Sequence, residues 1–427
     1  MNASAWIYNY DFELEWAGQA PIVFGNKQVV PWWFLNRSAH FLMPLAKEKD
    51  LILCYQEPDQ TIIDQLKPAL KRLPRFFPVR TIDGESNSIV RDVNAMLERE
   101  NVLENYRLEA WGWNQGAIDL ANRYFHQSIS SDLADIVRTA NSKSTSDWIR
   151  SGVLGGLLAI PSCHITDRHL TVETLKNQIN GFISQYSPVI IKNYFGTSGR
   201  LSRTVDAPVS SRRQLERWMS WIRTNGGILL EKRLDSIQEF SVQATIDSSG
   251  TVELITTLTM YSNQQGSYLG NVIDRNQADQ PPLPEEQLLP LLSDLKTTGY
   301  FGPIGLDFLI TPDQEIKLIE INARLTMGRI AHAWNQVLNP YRFGLFINAF
   351  TQEATFDSSA ALIDFCADLE KNCDGTVFVI NFLKTRTQPL SLITILIGAN
   401  TKNLLFQLAG RIISSLNQID IKQTPAM

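Results

Sequence analysis

Residues 302–329 read GPIGLDFLITPDQEIKLIEINARLTMGR, and the fold turns on how this stretch pairs with itself. Two strand-forming runs, Ile304–Thr311 and Ile316–Asn322, flank a turn carrying Pro312 and Asp313, the pattern of a hairpin. Side chains alternate along a strand. With Pro312 to Glu315 as the loop, Asp307 lies opposite Glu320, Leu309 opposite Leu318 and Gly305 opposite Asn322. Leu306 with Ile321 and Phe308 with Ile319 then form an apolar opposite face. Asp307, Glu320 and Asn322 gather on the first face, where Gly305 leaves space. Two carboxylates and an amide oxygen on a rigid hairpin make a hard-oxygen site suited to Mg²⁺. Arg324, two positions beyond Asn322, is available for an anionic oxygen. The plainer reading is an ordinary hairpin with an acidic wet face. Against it, Glu320 sits in the apolar run KLIEIN, where an unpaired glutamate is costly.

The chain has 427 residues, room for two or three domains. It is 44% hydrophobic and 19% charged, as expected of a folded protein rather than a disordered one. A net charge of −5 gives no electrostatic footprint for nucleic acid. Cys54, Cys163, Cys366 and Cys373 form no CxxC pair, so they read as reduced thiols of a cytoplasmic protein. No signal peptide opens the sequence, and the longest apolar run, near Leu390–Ala399, is too short to span a membrane.

Residues 1–135 mix short strands with amphipathic helices, which suggests a small α/β domain with a parallel sheet. Ala5–Trp16 alternates strictly and reads as a strand, with Asn9, Asp11, Glu13 and Glu15 on its solvated face. The tryptophans here (Trp6, Trp16, Trp32, Trp33, Trp111, Trp113) read mainly as packing residues. The polar stretch Ile129–Ser151 marks a boundary, and Thr171 starts an amphipathic helix. Further on, Ser210 and Asn400 are the expected caps of two more helices.

Ser187–Arg200, SPVIIKNYFGTSGR, is the second anchor. Lys192 ends a buried strand, where it can reach a phosphate as a point charge. The loop Gly196-Thr197-Ser198-Gly199 can present backbone N–H groups to phosphate oxygens. No GxxxxGK[ST] motif is present, and the alternative is a snorkelling lysine beside a glycine-rich loop. ILLEKRL at 228–234 and QEFSVQ at 238–243 follow, with Glu231, Lys232 and Glu239 at strand ends. These charges either edge a nucleotide cleft or are solvated.

The order of these pieces resembles the ATP-grasp superfamily over residues 136–335: a strand-end lysine, a Gly/Ser loop, Glu-Lys-x-Leu, Glu-Phe-Ser-Val, Gly-Leu-Asp and Glu-Ile-Asn-Ala-Arg. The resemblance implies an α/β (α+β) ATP-grasp fold. A small preATP-grasp domain (1–135) would precede the ATP-grasp domain (136–345, split at 226/227), and a small α/β appendage (346–427) would follow it. That appendage would cover the substrate site or mediate homodimerisation. ATP and Mg²⁺ are the implied cofactors. Lys143 and Lys192 would hold the α- and β-phosphates, and Gly196, Thr197, Ser198 and Gly199 would close over the triphosphate. Glu231, Lys232 and Leu234 would bind adenine, mostly through backbone groups, and Glu239 the ribose. Asp307, Glu320 and Asn322 would ligate Mg²⁺, and Arg324 would serve the transferred phosphate and the acyl intermediate, with Lys192 as its catalytic companion. Gly305 stands where some peptide-type ligases carry an arginine, which argues against a D-alanine ligase and shifts charge stabilisation onto Arg324, with Arg329 as a further candidate. The implied reaction joins a small carboxylate to an amine or thiol through an acyl phosphate, with no nucleic acid or membrane partner. A kinase acting on a hydroxyl uses the same motifs, and a nucleotide-binding module without turnover is the third possibility.

Overall fold

The structure, a computed structural model, describes residues 3–416 apart from 17–21, 25–27, 31–36, 71, 82–87, 100–101, 197–201, 263–267, 277–282, 353–355, 372 and 385–389. The N-terminal part is the expected parallel sheet, in the order Arg75–Pro78, Leu51–Cys54, Ala3–Ile7, Tyr106–Ala110. Helix Gln60–Leu66 stops before Pro68, whose ring and missing N–H would break the next turn. The Ala5–Trp16 alternation is not a strand. Strand Ala3–Ile7 ends early, and a turn leads into the short helix Phe12–Trp16. Period-two patterning cannot distinguish a strand from a strand, turn and helix of the same polarity. As a result Asn9, Asp11 and Glu13 are buried rather than solvated. Asn9 fixes the turn by reciprocal bonds: Nδ2 donates to Gly112 O (2.8 Å), and Gly112 N donates to Oδ1 (3.2 Å).

Two antiparallel sheets follow. The smaller runs Ser162–Ile165, Ile228–Lys232, Val189–Asn193, Ser202–Val205. Its apolar face is covered by helices Val172–Tyr186 and Arg212–Asn225. The first is capped by Thr171, as its sequence predicts, and turns Leu175, Ile179 and Ile183 inward. The second begins one residue later than expected, with Ser211 as its N-cap, and ends at Gly226 (φ +87°), a left-handed closure that favours glycine. The larger sheet has eight strands: Ile316–Asn322, Gly302–Ile310, Gln238–Ile246, Val252–Ser262, Tyr268–Asp274, Phe343–Gln352, Leu390–Ala399, Gly375–Lys384. The two C-terminal strands thus extend the sheet that holds the hairpin. Helix Lys402–Ser415, capped by Thr401 rather than Asn400, packs on strands Leu390–Ala399 and Phe343–Gln352. The expected boundary at Ile129–Ser151 holds helices Asp132–Ala140 and Lys143–Gly152.

The chain closes on itself where the N-terminal part meets the last strands. Gln65 bonds the backbone of Val377 and Val379, and Trp334 Nε1 donates to Phe41 O. Between them His40 is buried, and burial lowers its imidazole from the ordinary 6.5 to about 4, with Asn381 opposing. The unfolded chain therefore takes up this proton first. Stability from the neutral ring is present above pH 6.5 and is lost as pH falls towards 4, by about 3 kcal/mol. Urea unfolding at pH 7.5 and 4.5 is expected to show a smaller loss in His40→Gln than in wild type. Equal losses would remove His40 from the account.

Candidate active site

A cavity of about 450 Å³ lies between the two antiparallel sheets, within the size range of cofactor sites. Apart from Arg329, every sequence-predicted site residue inside the described portion lines it; Thr197, Ser198 and Gly199 fall outside that portion. Ile160, Ile190, Phe308 and Ile319 are among its lining residues and supply apolar surface suited to a flat ring. Along its edge runs the segment from Glu231 to Ser236. Lys232 N and Arg233 N already donate to Pro161 O (2.9 Å) and Pro188 O (2.8 Å). Leu234 follows these two committed positions in the linker and also lines the cavity. Nearby, Ser236 and Ser262 hold one carboxylate oxygen each of Glu239, at 3.2 and 3.0 Å.

Lys143 and Lys192 both line the cavity. Lys143 opens helix Lys143–Gly152, and its Nζ donates to Gly196 O (3.2 Å) and pairs with Glu320. Lys192 pairs with Glu231, which also takes Arg150. Burial alone would raise the Glu231 carboxyl, but Lys192 and Arg150 hold it below the usual carboxylate range. Arg150 is fully buried and continues the network: Nε donates to Asp147 (3.0 Å) and Nη1 to Leu318 O (3.3 Å). Asp147 in turn contacts His164 Nε2 (2.7 Å) and Ser162 Oγ, and His164 Nδ1 meets Tyr194 OH (2.8 Å). Sequence reading missed Arg150, Asp147 and His164. The only available signal was Asp147 and Arg150 one helical turn apart in a segment read as a polar boundary.

The hairpin carries the third group. Gly305–Asn322, Leu306–Ile321 and Asp307–Glu320 pair as predicted. A bulge beyond Asp307 then shifts the register, so Phe308 faces Leu318 and Leu309 faces Lys317. The extra residue is Ile319, and both it and Glu320 turn towards the cavity. The connection is also longer than read: it occupies 311–315, with Gln314 at φ +64°. Asp307 is gripped on both oxygens, by Ser241 Oγ (2.6 Å) and by Asn322 Nδ2 (2.9 Å). Burial, and then the charge of Glu320, push its carboxyl up to about 6. Two carboxylates that repel each other in a poorly solvated place fit a hard divalent cation; Asn322 here turns Nδ2 to Asp307 and its oxygen to Arg324.

Arg324 reaches Asn322 Oδ1 through Nη2 (3.1 Å), while its Nε pairs with Glu13 from the N-terminal helix and its guanidinium lies 6.0 Å from the Trp111 ring centroid. Leu325 N donates to Trp111 O (3.2 Å). The acidic set at Asn9–Glu13, read as a solvated face, thus supplies the counter-charge of the site's arginine. Arg329 is not among the lining residues; its backbone N–H donates to the Thr326 side chain, which caps the helix, and burial lowers its guanidinium pKa against the opposing charge of Glu253. The candidacy given to Arg329 is therefore withdrawn.

Comparison with known families agrees with this geometry. The model of the ATP-grasp domain matches residues 165–328. The chain carries an ATP-grasp domain. No curated protein matches the sequence. Among solved structures, the chain is similar to carboxyaminoimidazole ribonucleotide synthase from Aspergillus clavatus complexed with ATP, at TM-score 0.55 and 11% identity over 87% of this chain and 99% of that one. It is also similar to N5-carboxyaminoimidazole ribonucleotide synthetase from Thermus thermophilus (TM-score 0.53, 12% identity, 91% and 98% covered). Biotin carboxylase from Campylobacter jejuni gives TM-score 0.50 and 16% identity over 90% and 88%. At these identities the likeness is one of fold, and it covers the parts flanking the ATP-grasp domain as well. Among the described residues no helix is long and apolar enough to cross a membrane.

Proposed function

We propose that the chain is an ATP-dependent ligase that joins a small carboxylate to an amine, or to a thiol, through an acyl phosphate. The observation that carries this reading is the convergence on one cavity of two lysines, a serine-held glutamate, and the Asp307–Glu320–Asn322 set beside Arg324. Adenine would lie between Ile190 and Ile319 against the Leu234 backbone, with the ribose hydroxyls on Glu239. Lys143 and Lys192 would then direct the phosphates towards the hairpin. Asp307, Glu320 and Asn322 would hold Mg²⁺, which when bound supplies charge neutralisation for the terminal phosphoryl oxygens.

A carboxylate oxygen placed beside Arg324 would attack the γ-phosphorus. The new O–P bond forms as the bond to the β-phosphate bridging oxygen breaks, and ADP leaves. The amine then attacks the acyl carbon, the C–O bond to phosphate breaks, and inorganic phosphate and a proton are released. The protein's part is positioning and electrostatics: Arg324 orients the carboxylate, and holding the two reactants adjacent is worth roughly 7–11 kcal/mol. The test is ADP release in a screen of amino acids and small carboxylates, with wild type and Asp307→Asn side by side. An amide product with ADP and phosphate is expected, and a loss of about a hundredfold or more in the variant. A phosphorylated product without free phosphate would make the protein a kinase. Failure to bind ATP at all would end the reading.

A further inference from the structure

Behind the cavity wall, Gln243 is buried beneath the hairpin, at 1% exposure, and is not itself a lining residue. Its Nε2 donates to Ser241 Oγ (2.8 Å), and its Oε1 accepts from Thr326 Oγ1. Ser241 Oγ donates to Asp307 Oδ1 (2.6 Å), and Thr326 Oγ1 accepts from Arg329 N (3.1 Å). The two ends fix the direction of every bond. A carboxylate only accepts and a backbone N–H only donates. The Ser241 hydroxyl must therefore spend its proton on Asp307, Gln243 must present its amide nitrogen to Ser241, and Thr326 must give its proton to Gln243. The row is a single-file donation from the first turn of helix Met327–Leu338 to one oxygen of Asp307.

The surroundings leave room for this amide and for little else. A Cβ at Gly328 would lie 2.8 Å from Gln243 Nε2. One at Gly305 would lie 2.8 Å from Thr326 Cγ2 and 3.3 Å from Gln243 Nε2. The space beside Gly305 is thus filled by a neutral amide and its threonine partner.

We propose that Gln243 is a positioning residue that locks the orientation of Asp307 for metal binding and ties it to the helix whose first residues line the acyl end of the cavity. The proposal rests on the reading of Asp307 as a metal ligand. Without Gln243, the Ser241 hydroxyl can rotate away, and Asp307 loses one of the two bonds that set its plane. Outer-sphere partners of this kind carry about ten- to a hundredfold in metal affinity.

The experiment uses the full chain with ADP and Mn²⁺, followed by electron paramagnetic resonance of free Mn²⁺. Gln243→Leu is expected to raise the Mn²⁺ dissociation constant of the ADP complex about tenfold. ADP affinity without metal should stay within about twofold; the melting temperature should fall modestly, because Thr326 Oγ1 loses its buried acceptor although the volume is nearly kept. Ser241→Ala, the last link, should give the same rise, and the double variant no more than either single one, since the two act through one chain. Wild-type Mn²⁺ affinity in Gln243→Leu, or in Ser241→Ala should the first variant not fold, overturns the proposal and leaves the nucleotide reading intact. No Mn²⁺ binding to wild type with ADP overturns both.

Discussion

Glu320→Gln is expected to abolish ATP turnover, by about a thousandfold or about 4 kcal/mol of transition-state stabilisation, with the fold retained. The side chain removed is the one that stands directly across from Asp307 and holds Lys143. An amide in its place halves the anionic charge offered to a cation and releases Lys143 from its partner. Stability should change far less. The substitution also ends the repulsion that adds to burial in raising the Asp307 carboxyl, and this offsets part of the lost ion pair. The measurement is ADP release with any carboxylate that supports wild-type turnover, alongside urea unfolding without metal. Turnover persisting in a folded Glu320→Gln protein would dismantle the metal assignment. Collapse of the fold would make Glu320 a structural residue instead.

Arg150→Met should do the reverse, costing stability first. Arg150 is fully buried and serves Asp147, Glu231 and the Leu318 carbonyl together, so it joins the helix of Lys143, the strand of Glu231 and the hairpin. Removing one member of a buried charge network leaves its partners uncompensated, and about 3–5 kcal/mol is the usual loss. Arg150→Lys can serve one carboxylate but not two, and is expected to recover part of it. The readout is the urea midpoint of the three proteins. Affinity for ADP should fall in Arg150→Met as well, because Glu231 would then draw on Lys192 alone. Unfolding at the wild-type midpoint would show the network to be dispensable.

What the sequence revealed and what it hid have physical reasons. Strand alternation is arithmetic, so the site side of the hairpin could be paired from the letters. The turn side could not, because nothing in LIEIN marks Ile319 as the surplus residue. Lys192, Glu231 and Glu239 were findable since each is a charge ending an apolar run. Arg150 and Asp147 were not, since buried charges whose partners lie far along the chain look like a solvated helix face. Glu13 was lost for the same reason: its identity as a counter-ion depends on Arg324, which the chain reaches only near its other end.

That last contact ties the nucleotide cleft to the opening residues of the protein. A fragment starting at the helix of Lys143 would keep Lys143, Lys192 and the hairpin but strip Arg324 of Glu13 and of the Trp111 ring beneath it. Its guanidinium would be left facing water or folded back on the hairpin carboxylates. On the proposed reading, residues 165–328 alone would therefore lack the counter-charge of their arginine, and the opening residues would have to travel with them.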